Sequence, residues 1–302
     1  MSPVVLAILP IFGLILLGFV LYRLDFPGVG FWPVSERLTY YVLFPAMLVG
    51  GLAGRHFDAS ALNLALTLAS AVCLVGAFLV FTRAMFRLDG PVFTSIFQGA
   101  IRPNTYVGMS AAAVLLGPDW MTLSAVAMLT LIPLVNVLCV LVLSRHGKQG
   151  GGLGRVAVEL VKNPLILACA AGMSISILGL PLPGVVASLL AILGKAALPL
   201  GLLAVGAGLR FEGLGASTLP VVLASLAHLV ALPLAAYGCA RLFGVGELAL
   251  TTALIYTAIP VSVSAFILAR QMGGDHQVMA LIITVQTVLS AVTMPLILGL
   301  LG

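Results

Sequence analysis

The chain has 302 residues, of which 62% are hydrophobic and 8% are charged, and its formal net charge is +5. Soluble domains contain about 45–50% apolar and about 25% charged residues. The composition therefore excludes an ordinary soluble domain and indicates a protein that crosses a membrane many times. The basic residues fall between apolar segments, where they set membrane orientation, so we expect membrane lipid and no nucleic acid as a partner.

Cysteine and histidine patterns give no sign of a resident cofactor. Each of the four cysteines lies in a different apolar segment, and the histidines are not clustered. This pattern predicts neither a disulfide framework nor a metal site. The first residues carry no charge, and the apolar run continues to Val20. We therefore expect the N-terminal segment to be the first membrane span and not a removable leader.

Ten apolar segments are long enough to be spans, because about 20 residues cross the hydrocarbon region of a bilayer. They are residues 2–22, 33–54, 60–84, 91–116, 120–144, 157–178, 183–209, 216–241, 246–270 and 275–301. A polar, glycine-rich stretch at residues 147–156 separates them into two groups of five. The sequence thus predicts an all-α polytopic membrane protein with a first half at 1–146, a cytoplasmic linker and a second half at 157–302.

Prolines recur at matching places in the two halves. The pairs are Pro10 and Pro164, Pro45 and Pro199, and Pro103 and Pro260. Their separations are 154, 154 and 157 residues. Since five spans is an odd number, the second half must enter the membrane the other way up, which predicts a 5+5 inverted repeat.

Basic residues predict the orientation. With both termini outside the cytoplasm, only two basic residues lie in outer loops, Arg55 and Arg241. Ten then lie in inner loops or adjoining span ends, namely Arg23, Arg37, Arg83, Arg87, Arg145, Lys148, Arg155, Lys162, Arg210 and Arg270. This distribution favours a multi-pass protein of the cytoplasmic membrane with both termini non-cytoplasmic.

The fourth apolar segment contains Arg102, Pro103 and Asn104 in consecutive positions. Proline has no N–H to donate and clashes with the preceding helical turn, so a helix is expected to break here. Broken helices are tolerated at membrane depth where they line a protein-walled cavity, and their ends can hold an ion or a charged group. We therefore predict a transport site centred on residues 102–105.

Two motifs resemble those of the auxin efflux carrier family, which also contains bacterial malate and malonate permeases and is related to the bile acid/sodium symporters. Residues 103–109 (PNTYVGM) are similar to its fourth span, and residues 258–275 (AIPVSVSAFILARQMGGD) are similar to its ninth. The resemblance covers all ten spans. It implies that helices four and nine are broken and cross at mid-membrane, next to a bound carboxylate, with Pro103 and Pro260 at the breaks. It also implies a scaffold of helices 1, 2, 6 and 7, a mobile core of helices 3–5 and 8–10, and an elevator-like motion.

The same resemblance assigns individual residues. Asn104 matches the asparagine that family members place at the crossing. Many bacterial relatives have asparagine where this chain has Ser264, which offers a shorter side chain with a single hydroxyl.

Buried charge favours an anionic substrate. No carboxylate is expected at mid-membrane, where cation carriers and proton relays normally use one. The predicted substrate-binding residues are Asn104, Thr105, Arg102, Lys195, Ser262 and Ser264. Arg102 either clamps a carboxylate or donates to carbonyl groups freed by the break. Lys195 lies about 18 Å into its span, so it faces a wet cavity or a partner, or else its span is misplaced.

Three further polar residues lie in spans. His228 is predicted to be a neutral histidine bonded across a helix interface, with proton transfer as the alternative. Asn136 and Gln286 either bridge helices or help to bind an ion with serine and threonine oxygens and unwound carbonyls. Sodium and protons both remain possible coupling ions, and no other cofactor is expected.

We expect a secondary transporter for a small organic anion, such as malate, malonate or an auxin-like acid. The alternative is a membrane channel or a receptor for a small anionic ligand. An enzyme is not expected, because the sequence has no paired intramembrane aspartates, HExxH or GxSxG motif. Small residues in spans two and seven predict close packing, either within one protomer or in a homodimer through the scaffold helices.

Overall fold

The computed structural model describes residues 3–55, 60–86, 88–147, 158, 161–212 and 218–302. Within these ranges the protein is all-helical, apart from an isolated β-bridge between Pro103 and Val261. The predicted all-α class is therefore confirmed. The predicted linker lies outside the described residues except for Gly147, as do Arg87, Lys148 and Arg155.

The α-helices follow one another with short connections. They are α1 (Pro3–Arg23), α2 (Phe31–Leu38), α3 (Phe44–Leu52), α4 (Ser60–Phe86), α5 (Gly90–Ile101), α6 (Thr105–Leu115), α7 (Trp120–His146), α8 (Pro164–Ile177), α9 (Gly184–Ala207), α10 (Thr218–Leu226), α11 (Leu232–Leu242), α12 (Glu247–Ala258), α13 (Ser264–Met272) and α14 (His276–Leu301).

Six stretches of the described chain form helices that are long and apolar enough to cross a membrane. They are Val4–Arg23, Ala61–Arg83, Gly117–His146, Gly184–Ala207, Thr218–Leu242 and His276–Leu301. The other four predicted spans differ from a single long α-helix. Spans four and nine are each divided into two short helices, span two contains a π-helical turn, and α8 begins only at Pro164, capped by the Asn163 side chain.

Two π-helical turns widen otherwise continuous helices. The turn at Thr39–Leu43 joins α2 to α3, and the turn at Ala227–Ala231 joins α10 to α11. Each turn is followed two residues later by a proline, Pro45 or Pro233, which lacks the N–H that a regular helix would use. Such turns often occur at functional sites, and these two carry cavity-lining tyrosines and His228.

The helices pack in two groups. In the first group α1 packs against α9, and α3 packs against α8 and α9. In the second, α5 and α12 pack against α7 and α14, while α4 packs against α7 and α11. Helix α1 approaches α9 closely because Gly206 has no side chain. A Cβ atom added there would overlap the Ile15 carbonyl group. Small residues of the seventh predicted span are therefore used for packing within one protomer.

Candidate functional site

The two helix breaks meet in a short backbone crossover. The Asn104 N–H donates to the Pro260 carbonyl oxygen over 2.9 Å, and the Ser262 N–H donates to the Arg102 carbonyl oxygen over 2.9 Å. Both connecting segments are extended, so the peptide groups pair as in an antiparallel sheet. Four helix ends therefore converge here: the C-terminal ends of α5 and α12 and the N-terminal ends of α6 and α13.

Two fully buried side chains, Gln286 and His228, bind backbone groups that the breaks leave unpaired. Pro103 has no N–H for the Gly99 carbonyl group, and the Gln286 amide nitrogen donates to that oxygen over 2.8 Å. The Gln286 amide oxygen accepts the Val261 N–H over 3.0 Å. His228 contacts the carbonyl oxygens of Ala100 and Ile259 over 2.8 Å and 2.7 Å. The interhelical bonding predicted for both residues is thus present, and Gln286 uses both ends of its amide in it.

A cavity of about 710 Å³ opens beside the crossover. It brings together most of the residues predicted to bind substrate or an ion, namely Arg102, Asn104, Thr105, Asn136, Ser262 and Ser264, with Pro103 in its wall. The N-terminal ends of α6 and α13 also reach this cavity, and each carries a partial positive charge of about half a unit. The site is therefore electrostatically suited to an anion.

Two residues that line the cavity each have a buried nitrogen donor without an acceptor among the described residues. The Asn104 side chain is 2% exposed, and its oxygen caps α6 by accepting the N–H groups of Tyr106 and Val107. Its amide nitrogen is buried and unpaired, and so is Nη1 of Arg102. An unpaired buried donor costs about 1–3 kcal/mol, so a ligand that supplies acceptor oxygens here would recover that free energy.

One of the two sequence interpretations had Arg102 donate to the carbonyl groups that the break sets free. The described residues show no such hydrogen bond. The Arg102 Nε donates to the Ser264 hydroxyl over 3.2 Å, and this hydroxyl lies 2.9 Å from the Ser262 hydroxyl. His228 and Gln286 bind those carbonyls instead. Because the freed carbonyl groups are bound by other side chains, Arg102 can line the cavity.

Lys195 does not lie with the other predicted binding residues. It is exposed on α9 and borders a separate groove of about 520 Å³, together with Met47, Gly50 and Trp120. The sequence placed it correctly in the middle of its helix. The side of the helix that it occupies depends on how α9 packs against α3, which the sequence did not reveal.

Sequence reasoning missed the outer part of the cavity. Its wall includes Glu36, Arg37, Tyr40 and Tyr41 from α2 and the π turn, and Lys162 from the segment before α8. Tyr106, next to the crossover, stacks on Phe44 with a centroid distance of 4.7 Å. The sequence did contain a signal for these residues. The polar run Ser35-Glu36-Arg37 lies inside the second apolar segment, where a membrane span does not require polar side chains.

The fold and this site define the class: a multi-pass helical membrane transporter with a cavity at two broken helices. Residues 153–298 match the family model described as "Membrane transport protein". The chain is also 25% identical over 295 residues to an "Uncharacterized transporter" of Methanothermobacter thermautotrophicus, covering 96% of this chain and 95% of that protein. Both matches support a membrane transporter, and the family model covers the second half of the chain, which contains the 258–275 motif.

Proposed function

We propose that the protein is a secondary transporter that moves a small carboxylate across the cytoplasmic membrane by elevator-type alternating access. The observation that carries this proposal is the pair of unpaired donors, Arg102 Nη1 and Asn104 Nδ2, beside the positive ends of α6 and α13. A carboxylate offers two acceptor oxygens and a negative charge, and it therefore matches both features. Malate, malonate and auxin-like acids are the candidate substrates.

The order of helices supports a ten-span inverted repeat. In each half a long final helix, α7 or α14, follows a span divided near its middle at a proline. The two divided spans contribute equivalent segments to one crossover, as expected when two halves are related by an axis in the membrane plane. In this proposal the scaffold comprises α1–α3, α8 and α9, and the remaining helices move as the core.

The mouth of the cavity supports a state that is open to the cytoplasm. Arg37 and Lys162 line it, and both belong to the basic residues assigned to the inner side. Glu36 also lines the cavity, so its wall carries both signs of charge. Coupling to sodium or protons and a homodimer through the scaffold helices remain predictions.

The test is charge movement on solid-supported membranes that carry the purified protein. Mono- and dicarboxylates, including indole-3-acetate, are applied with and without sodium, and uptake of the same radiolabelled acids detects electroneutral exchange. A saturable signal for one carboxylate class supports the proposal, and its sodium dependence identifies the coupling ion. Absence of both current and uptake for every carboxylate would overturn it.

A further inference from the structure

His228 lies where two half-helices end, and its side chain is fully buried. Nδ1 is 2.8 Å from the Ala100 carbonyl oxygen, and Nε2 is 2.7 Å from the Ile259 carbonyl oxygen. Carbonyl oxygens only accept hydrogen bonds, and a neutral imidazole carries only one N–H. In the neutral form one ring nitrogen would therefore direct its lone pair at an oxygen. The imidazolium form donates to both.

The position also suits a positive charge. Ala100 belongs to the last turn of α5, and Ile259 follows directly after α12. The C-terminal end of a helix carries about half a negative charge, so the two ends together present about one negative charge to the ring. Protonated histidine is stabilised at such an end.

The elements packed against the His228 turn are α5, α10, α11, α12 and α14. Their described titratable and charged groups are few: Glu247, Tyr256, Tyr237, Cys239, Arg241 and His276. Glu247 and His276 begin their helices, about 18 Å from Ile259 and about 15 Å from Gln286 along the helix axes. The Tyr256 ring lies against Gly108 of α6, which is outside these elements. Among the described residues of these elements, no carboxylate lies beside the ring, so the carbonyl ends supply its counter-charge.

The neighbouring cation faces elsewhere. The Arg102 guanidinium group binds Ser264 and lines the cavity, whereas His228 is absent from the cavity lining. Gln286 makes a second connection between the same two segments, from Gly99 to Val261, and this connection needs no proton.

We propose that His228 is a proton-binding site that holds the crossover together: its imidazolium links the carbonyl end of α5 to that of α12. Loss of the proton removes one of these two hydrogen bonds and leaves Gln286 as the remaining side-chain connection. His228 is thus a positioning residue for the cavity, and this role is independent of which substrate the cavity accepts. The proposed protonated state differs from the neutral state expected from the sequence.

The first test is nuclear magnetic resonance of the full-length protein labelled with ¹⁵N-histidine. The chain has four histidines, and the triple variant His56→Gln, His146→Gln, His276→Gln retains only His228. At about pH 7 we expect both ring nitrogens to carry protons, because both face carbonyl oxygens. One protonated and one bare ring nitrogen throughout the pH range of the folded protein would overturn the proposal. The readout does not depend on transport.

The second test compares thermal unfolding of the wild type and His228→Gln from about pH 5 to about pH 9. A group that holds its proton more tightly in the folded state stabilises the protein most at acid pH and loses this contribution as the pH rises. We expect the Tm difference to shrink by at least half over this range. His276→Gln, at an exposed position, is the matched control and should show no such trend. A difference that is constant or grows with pH would contradict a proton-held crossover; if His228→Gln does not fold, the spectroscopic test decides.

Discussion

The Arg102 side chain both binds Ser264 and lines the cavity at the crossover. Its Nε donates to the Ser264 hydroxyl, while its buried Nη1 has no acceptor among the described residues. Ser264 is therefore held in place by the arginine. In the proposed function, substrate binding and the positioning of α13 therefore depend on the same guanidinium group.

Replacing this group should weaken substrate binding. For Arg102→Gln we expect the apparent KM for the carboxylate to rise about 10- to 100-fold, because a hydrogen bond to a charged group contributes about 1.5–3 kcal/mol. Concentration-dependent uptake into proteoliposomes measures this change. Arg270→Gln, at an exposed position of α13, is the matched control and should leave KM unchanged. Equal KM values for both variants would remove Arg102 from the site.

For Lys195 we expect replacement to leave substrate binding nearly unchanged. Since it lies in a groove separate from the crossover cavity, Lys195→Ala should change the apparent KM by less than about twofold, the range typical of surface substitutions. The same uptake measurement checks this prediction. A large increase in KM with normal folding would instead show that α9 rotates or that substrate binds in the groove.

At the scale of helices, the caps determine which donors remain for a ligand. Asn104 caps α6 and Asn163 caps α8 with the same pair of backbone contacts, and both residues line the cavity. Only the Asn104 amide nitrogen is among the buried unpaired atoms of the described residues. The amide at the break therefore serves both the fold and the cavity.

Serine substitutions separate these two roles, because serine also caps helices well but has no amide nitrogen. We expect Asn104→Ser and Asn163→Ser to lower Tm by similar small amounts. Only Asn104→Ser should raise the apparent KM, by about tenfold, since a hydrogen bond contributes about 0.5–1.5 kcal/mol and somewhat more when it is made to a charge. Matching KM values in the two variants would argue that Asn104 acts only as a cap.

The close packing of α1 against α9 predicts a sensitive glycine. Alanine at Gly206 would place its Cβ against the Ile15 carbonyl group, whereas Gly13 has no atom within 4 Å of an added Cβ. Overpacking costs about 1–3 kcal/mol, so Gly206→Ala should lower Tm in detergent while Gly13→Ala should not. Equal Tm values for the two variants would mean that the two helices are farther apart than described.

At the scale of the whole molecule, function depends on which side the cavity faces. Two exposed basic residues, Arg37 and Lys162, line the described cavity, and the turn between α8 and α9 belongs to the opposite side in the proposed topology. The two sides can therefore be distinguished by chemical labelling of single cysteines.

We expect a membrane-impermeant thiol reagent to label Lys162→Cys in inside-out vesicles and Leu180→Cys in intact cells, because the reagent reaches only one face in each case. Both positions are exposed, and the background carries Cys73→Ala because Cys73 is exposed as well. Labelling gels measure the result. The reverse pattern would invert the proposed topology, and labelling of both positions from one side would exclude it.

The sequence by itself determined the all-helical membrane class and the position of the breaks. The apolar composition dictates burial in lipid. Pro103 and Pro260 remove N–H groups that a continuous helix requires, and this effect depends only on residues nearby in the chain. The family motifs are likewise short runs around those prolines. Asn104 was identified for the same reason.

Only the tertiary structure decided which polar groups meet. That His228 and Gln286 bind the freed carbonyl groups, that Arg102 binds Ser264, and that Lys195 lies in another groove all depend on the rotation and approach of helices far apart in sequence. In nearly uniform apolar segments the hydrophobic pattern does not fix which face of a helix turns inward. Packing of small residues and pairing of buried polar groups fix it instead.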